Sequence, residues 1–287
     1  MARALTRHWP EYLMEALGLS LYMVAACLVR VAVEHPASPV RGAVGSSLLR
    51  RVVIGMAMGL TAVGLIYSPW GQRSGPHLNP AVTLTFWRLG KVAAWDAVFY
   101  VLAQFAGGLA GMLVAASLLR QWLADPAVNY AVTRPGLFGA GVAFVAELLI
   151  SFGFMITVLL VSNVARLAPL TGLAAGALIA TYISVEAPLS GMSMNPARTL
   201  ASTVPAVFWM SLWVYFTAPV LGMLLAAEGY LHVRGAGAVA CAKLHHRNRY
   251  RCIFRCSYQG CRPCATLIAS TSSSSAWAPA AEAQRGL

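Results

Sequence analysis

Six apolar runs, each of the length that crosses a bilayer as a helix, leave this chain few ways to fold. A spanning helix takes about 20 residues, and runs of that order occupy roughly 12–33, 48–67, 92–119, 137–161, 167–185 and 207–232. Backbone N–H and C=O groups find no water in hydrocarbon, so runs of this kind must be helices packed as a bundle. With 59% hydrophobic and 10% charged residues over 287 positions, a water-soluble domain is excluded, and no nucleic-acid partner is expected. The first run follows Arg3, Arg7 and Pro10, carries Glu11 and Glu15, and lacks a small-residue cleavage site, so no cleaved leader is expected. Gly55, Gly59 and Gly64 in the second run, and Gly107, Gly108 and Gly111 in the third, are placed to let helix backbones approach in lipid.

Two copies of one tripeptide interrupt the apolar pattern: Asn79-Pro80-Ala81 and Asn195-Pro196-Ala197, the second continuing into Arg198. Asn is a preferred N-cap, and Pro is favoured at the first helical position, where its missing N–H was unpaired anyway. Each tripeptide therefore starts a helix, and each helix is short. The first apolar stretch ends at Phe86-Trp87 before Arg88, the second near Pro205. Half-length helices with polar caps are tolerated at membrane depth only where they line a cavity, so the pair points to a pore. The motifs also sit in matching contexts. Ser74-Gly75-Pro76-His77-Leu78 precedes the first and Ser190-Gly191-Met192-Ser193-Met194 the second, and a run containing Glu15 or Glu147 opens each half. Three full spans per half is an odd number, so the second half is inverted and the half-helices enter from opposite faces to meet at their N-termini. The expected fold is an all-α membrane protein of six transmembrane helices plus two half-helices in an inverted repeat. Its channel domain covers 1–232, with repeats at about 10–119 and 137–232.

On these residues the chain resembles the aquaporin (major intrinsic protein) family over roughly residues 10–232. The resemblance is carried by His77-Leu78-Asn79-Pro80-Ala81-Val82-Thr83, Met194-Asn195-Pro196-Ala197-Arg198, a Glu in the first and fourth spans, and Tyr100-Val101-Leu102-Ala103-Gln104 in the third. It implies a passive channel in which the positive ends of the half-helices, the Asn79 and Asn195 amides and Arg198 exclude cations and protons. It implies that Glu15, Glu147 and Gln104 support the loops leading into the half-helices instead of coupling an ion. It places His77 at the inner mouth as a hydrogen-bonding residue, with pH gating as the alternative. Counting from the motifs puts the family's constriction at Met58 (or Gly59 if the loop carries no insertion), Ile183, Met192 and Arg198. Strict water channels have a His at the Ile183 position and an aromatic at the Met58 position, and this chain has neither. An aliphatic constriction with one Arg suits less polar neutral solutes. Thr199 stands where glycerol facilitators have an acidic residue, and Tyr215-Phe216 follow the water-selective branch. The reading is a water channel of atypical filter that also passes small uncharged solutes, with a glycerol facilitator as the alternative. Met192 and Met194 read as pore wall and not as a soft-metal site. A homotetramer is implied by the resemblance alone.

From about 233 to 287 the chain is basic and Cys-rich, and it is expected to be disordered. Cys252, Cys256, Cys261 and Cys264, with Cys241, His245 and His246 upstream, hold enough soft ligands for a zinc site. Their spacing matches no strong pattern and five arginines lie among them, so the expectation is no metal, no cofactor, and a basic tail against anionic lipid. Excluding Arg198, basic residues number fourteen on the side of the termini and six on the other. Both termini are therefore expected in the cytoplasm and the protein in the plasma or inner membrane. Ser, His and acidic residues converge on no catalytic motif, so an enzyme is not expected. A secondary transporter would share the inverted repeat but needs a coupling residue and a hinge. A structural membrane protein with a closed pore would share the fold.

Overall fold

The computed structural model describes residues 1–235, 237–246 and 248–258, and every long element among them is a helix. Six are long and apolar enough to span: α1 (Ala2–Glu34), α2 (Ser47–Tyr67), α4 (Ala94–Leu119), α5 (Gly139–Ser162), α6 (Thr171–Val185, preceded by a 3-10 turn at Ala168–Leu170) and α8 (Leu212–Arg234). Two are half-length: α3 (Pro80–Arg88) and α7 (Pro196–Ala206). The spans fall where the apolar runs lie, with shifts at the first, which starts at Ala2 and not at 12, and at the last. The last begins at Leu212 and not at 207, because Val207 adopts a left-handed φ of 51° that ends α7 before the chain turns.

The bundle is held by backbone approach at glycines. A Cβ on Gly59 would stand 2.5 Å from the Gly176 carbonyl oxygen, and one on Gly176 would stand 2.7 Å from that of Gly59. This reciprocal contact packs α2 on α6 across the approximate twofold axis. Gly107 of α4 lies against the Ala16 backbone of α1, and Gly222 of α8 lies against the Leu148 backbone of α5 in the same way. Such contacts replace the hydrophobic drive that lipid cannot supply. Gly64, read from the sequence as one of these packing residues, meets nothing within 4 Å and takes no part in one.

The perimeter is apolar, with Leu13, Leu17, Leu21 and Leu28 of α1 all exposed. Seven tryptophans among the described residues ring it, also exposed. Trp9, Trp70, Trp87 and Trp95 lie towards the face where α1 starts and α8 ends, here called the terminal face, and Trp122, Trp209 and Trp213 towards the opposite face. Indoles at both ends of a spanning bundle are anchors at the membrane–water interface.

The tail corrects its expectation. Val239, Cys241, Ala242, Leu244, Cys252 and Phe254 are buried against the terminal face, so the described part is packed chain and not a disordered extension. The residues after 258 lie outside the described range. Gly176→Leu should lower the thermal midpoint of the full chain in detergent, at a cost of roughly 1–3 kcal/mol for overpacking. Gly64→Leu, measured alongside, should leave the midpoint unchanged.

Candidate functional site

Each half-helix is fixed at its start by its own asparagine. Asn79 Oδ1 accepts from Ala81 N at 2.9 Å, and Asn195 Oδ1 accepts from Ala197 N at 3.1 Å and Arg198 N at 3.2 Å. The side-chain amides then reach across the axis. Asn79 Nδ2 donates to Met194 O and Asn195 Nδ2 to Leu78 O, both at 2.7 Å, so each loop is tied to the other repeat's asparagine. Leu78 and Met194 hold φ of 49° and 54°, which turns both carbonyls to meet these donors.

The loops leading in are held by the two buried glutamates. Glu15 Oε1 accepts from Ser74 Oγ and His77 N, both at 3.0 Å, and its Oε2 from Leu78 N at 2.7 Å. Glu147 repeats the pattern, its Oε1 accepting from Ser190 Oγ at 2.8 Å and Ser193 N at 2.6 Å, its Oε2 from Met194 N at 2.7 Å. Tyr100 donates to Ser74 O at 2.6 Å, and Tyr215 to Ser190 O at 2.5 Å. The match breaks at one place. Gln104 donates to Glu15 Oε2 at 2.8 Å and to Thr83 Oγ1 at 3.0 Å, whereas the corresponding turn of α8 carries Pro219.

A cavity of about 430 Å³ runs through the bundle between these parts. Ser47, Arg51, Ile54, Met58, Ala62 and Ile66 of α2 all line it, one residue per turn. Nineteen residue steps of helix is about 28 Å, close to the hydrocarbon thickness of a bilayer. Asn79 and Asn195 lie on its wall, as do Met58, Ile183, Met192 and Arg198. Gly59 is turned to α6, so Met58 is the second-span residue that faces the cavity. Arg198 Nη2 donates to Ala131 O at 3.3 Å, while its Nη1 is buried without a protein partner beside the cavity. His77 marks the terminal-side end, with Nδ1 against Thr83 Oγ1 at 3.0 Å and Nε2 against Ala242 O at 2.9 Å. With both ring nitrogens bonded, His77 fits the hydrogen-bonding role better than that of a proton sensor.

The sequence reading missed Arg30, Glu34, Arg51 and Arg134, which line the opposite mouth. Arg30 could have been flagged by Glu34 one turn later on α1. Arg134 sits in an irregular loop and gives no comparable signal.

The Major intrinsic protein family is matched over residues 3–230. The chain belongs to this family. It is 36% identical to Aquaporin NIP2-3 of Zea mays over 189 residues, which cover 66% of this chain and 60% of that protein. It is 37% identical to Aquaporin NIP6-1 of Arabidopsis thaliana over 175 residues, covering 60% and 55%. With the Glycerol uptake facilitator protein-like 6 of Lactiplantibacillus plantarum it shares 35% identity over 187 residues, covering 61% and 82%. The matched region thus spans under two thirds of the two plant relatives. Among solved structures, the aquaglyceroporin from Plasmodium falciparum superposes with a TM-score of 0.65 at 19% identity, covering 78% of this chain and 95% of that one, which shows a shared fold. The chain is accordingly a multi-pass integral membrane protein.

Beyond its matched region this major intrinsic protein adds the packed tail. The tail touches the terminal-side mouth from several directions. Arg251 joins Arg73 on the buried Glu11 carboxylate, Leu244 N donates to Gly75 O, Arg255 N donates to Lys91 O, and Ala240 N donates to Asn163 Oδ1. Burial, with the Lys243 ammonium nearby, pushes the His246 imidazole down to about 4, so it is neutral at pH 7. Part of the expected cysteine and histidine set comes together among the described residues. Cys252 and Cys256 come together with Cys241 and His246, while Cys261 and Cys264 lie outside the described residues.

Glu147→Gln keeps the side-chain shape but points an amide N–H₂ at a loop donor. Losing charge-assisted bonds there should cost about 1.5–3 kcal/mol, read as a lower thermal midpoint in detergent. Glu15→Gln should behave likewise. An unchanged midpoint in both would mean that the loops are held by something else.

Proposed function

We propose that the chain is a passive channel for water and small uncharged solutes. The observation that carries this reading is the cavity spanning about 28 Å with two opposed, Asn-capped helix starts at its middle. Each half-helix aims its positive end at the centre. A water molecule there accepts from the Asn79 and Asn195 amides, its hydrogens point outward, and the proton-conducting chain is interrupted. The same positive ends, with Arg198, repel cations. Glu15 and Glu147 are committed to loop N–H groups and do not line the cavity, which favours passive flow over coupling to an ion.

The constriction consists of Met58, Ile183, Met192 and Arg198: three apolar side chains and one donor. That combination suits a solute with a carbon backbone and hydroxyl groups as well as water, so a glycerol-class solute is the second reading. The names of the relatives, aquaporins and a glycerol uptake facilitator, support the same range. The channel domain is assigned to 1–232, with both termini cytoplasmic on the charge count and a homotetramer by family likeness.

Stopped-flow light scattering on proteoliposomes should show water flux with weak temperature dependence that Asn195 or Arg198 substitution alters. Flux that saturates and follows an imposed proton gradient would instead mean a transporter. Ile183→His should narrow the constriction and lower glycerol flux relative to water. An unchanged glycerol-to-water ratio would show that the constriction lies elsewhere.

A further inference from the structure

Four side chains of the tail converge outside the pore wall. Cys241, His246, Cys252 and Cys256 each bring one ligand atom, and all four atoms lie within 4.8 Å of one another. The sulfurs of Cys241 and Cys252 are 3.4 Å apart, and Cys256 Sγ is 2.9 Å from His246 Nε2. Tetrahedral zinc, with Zn–S about 2.3 Å and Zn–N about 2.0 Å, holds its ligand atoms about 3.5–3.8 Å apart. Small rotations would bring these four to that spacing. Three thiols and an imidazole are a donor set that selects zinc over hard cations.

The surroundings are those of a ligand set. The Tyr258 ring stacks on the His246 imidazole with centroids 4.4 Å apart, which fixes its plane. Tyr258 N donates to Cys256 Sγ at 3.4 Å, the kind of bond that steadies a thiolate. Two of the arginines that speak against a cation in the sequence are turned to other partners. Arg251 pairs with Glu11 at 3.1 Å, and Arg249 lies over the Tyr250 ring at 5.6 Å.

The segment has no regular structure of its own. Its described residues from 238 to 258 form no helix or strand, yet Val239, Ala242, Leu244 and Phe254 are buried against the bundle. A metal joining residues 241, 246, 252 and 256 would add a cross-link within this irregular stretch, because the free energy of metal binding is also folding free energy. The conformation so fixed occupies the channel mouth. Leu244 lines the end of the cavity, and Phe254 stacks on His77 at 5.3 Å, opposite Phe86 at the same distance.

We propose that Cys241, His246, Cys252 and Cys256 bind one zinc ion, and that the zinc-folded tail is a stopper seated in the terminal-side mouth of the pore. The stopper rests on the channel reading above, and the metal site does not.

Full-length protein purified without chelator should carry one zinc per chain by elemental mass spectrometry. Cys252→Ser with Cys256→Ser should lose it, while Cys261→Ser with Cys264→Ser should keep it. Cobalt in place of zinc should give tetrahedral ligand-field bands and thiolate charge transfer that the first pair abolishes. Wild-type protein without zinc, zinc retained by the first pair, copper or iron in its place, or a mass two hydrogens lighter from a Cys241–Cys252 disulfide would each overturn the site. For the stopper, chelation should raise water flux by about tenfold if the plug is seated in nine chains of ten, and added zinc should reverse it. Phe254→Ala should raise flux while keeping the zinc. Equal flux with and without zinc overturns the stopper. Absence of flux in every state overturns stopper and channel together, and leaves zinc stoichiometry to judge the site by itself.

Discussion

Two buried carboxylates carry the architecture. A loop that runs non-helically at mid-membrane depth presents N–H groups with no water to receive them, and each costs several kcal/mol if left unpaired. Glu15 and Glu147 collect these groups, and both sit on helices pressed against a neighbour at a glycine. The order of dependence is short. Gly107 and Gly222 admit close helix pairs, the pairs set the glutamates, the glutamates set the loops, and the loops aim the half-helices. The two repeats are alike without being equal. Gln104 adds a donor to Glu15, where Pro219 leaves the second repeat with none from that turn of α8.

Most of this frame was legible in the chain because its signals are local or counted. Apolar runs gave the spans, Asn-Pro-Ala gave the helix starts, and the odd number of spans per half gave the inversion. The proposed constriction residues were reached by counting back from the motifs, and counting alone could not choose between Met58 and Gly59. That choice depended on which residue the close approach of α6 consumes, a fact of packing. Gly64 failed for the same reason, since spacing says that a glycine could admit a neighbour and not that one is there.

The tail was misjudged where composition was allowed to stand for structure. Its basic, Cys-rich composition read as disordered chain, yet Ala242, Leu244 and Phe254 are buried on a surface that only the folded bundle creates, and the serine-rich stretch lies outside the described residues. Neither that surface nor Glu11, which receives Arg251 across 240 positions, leaves a trace in the local sequence. The cysteines were seen in the sequence, but which of them meet is set by the fold, and among the described residues it brings Cys241 to Cys252 across an irregular turn.

The exchange of side-chain amides between repeats bears on how the molecule is made. Asn79 donates to Met194 and Asn195 to Leu78, so neither loop can reach its final state while the other is missing. A ribosome delivers the first repeat well before the second. Until α7 arrives, the first half-helix has its polar start facing nothing that can accept from it, and the watery edge of the membrane is the better place to wait. On this geometry the two half-helices reach their final seats together, and the centre of the pore is completed only once the second half-helix is in place.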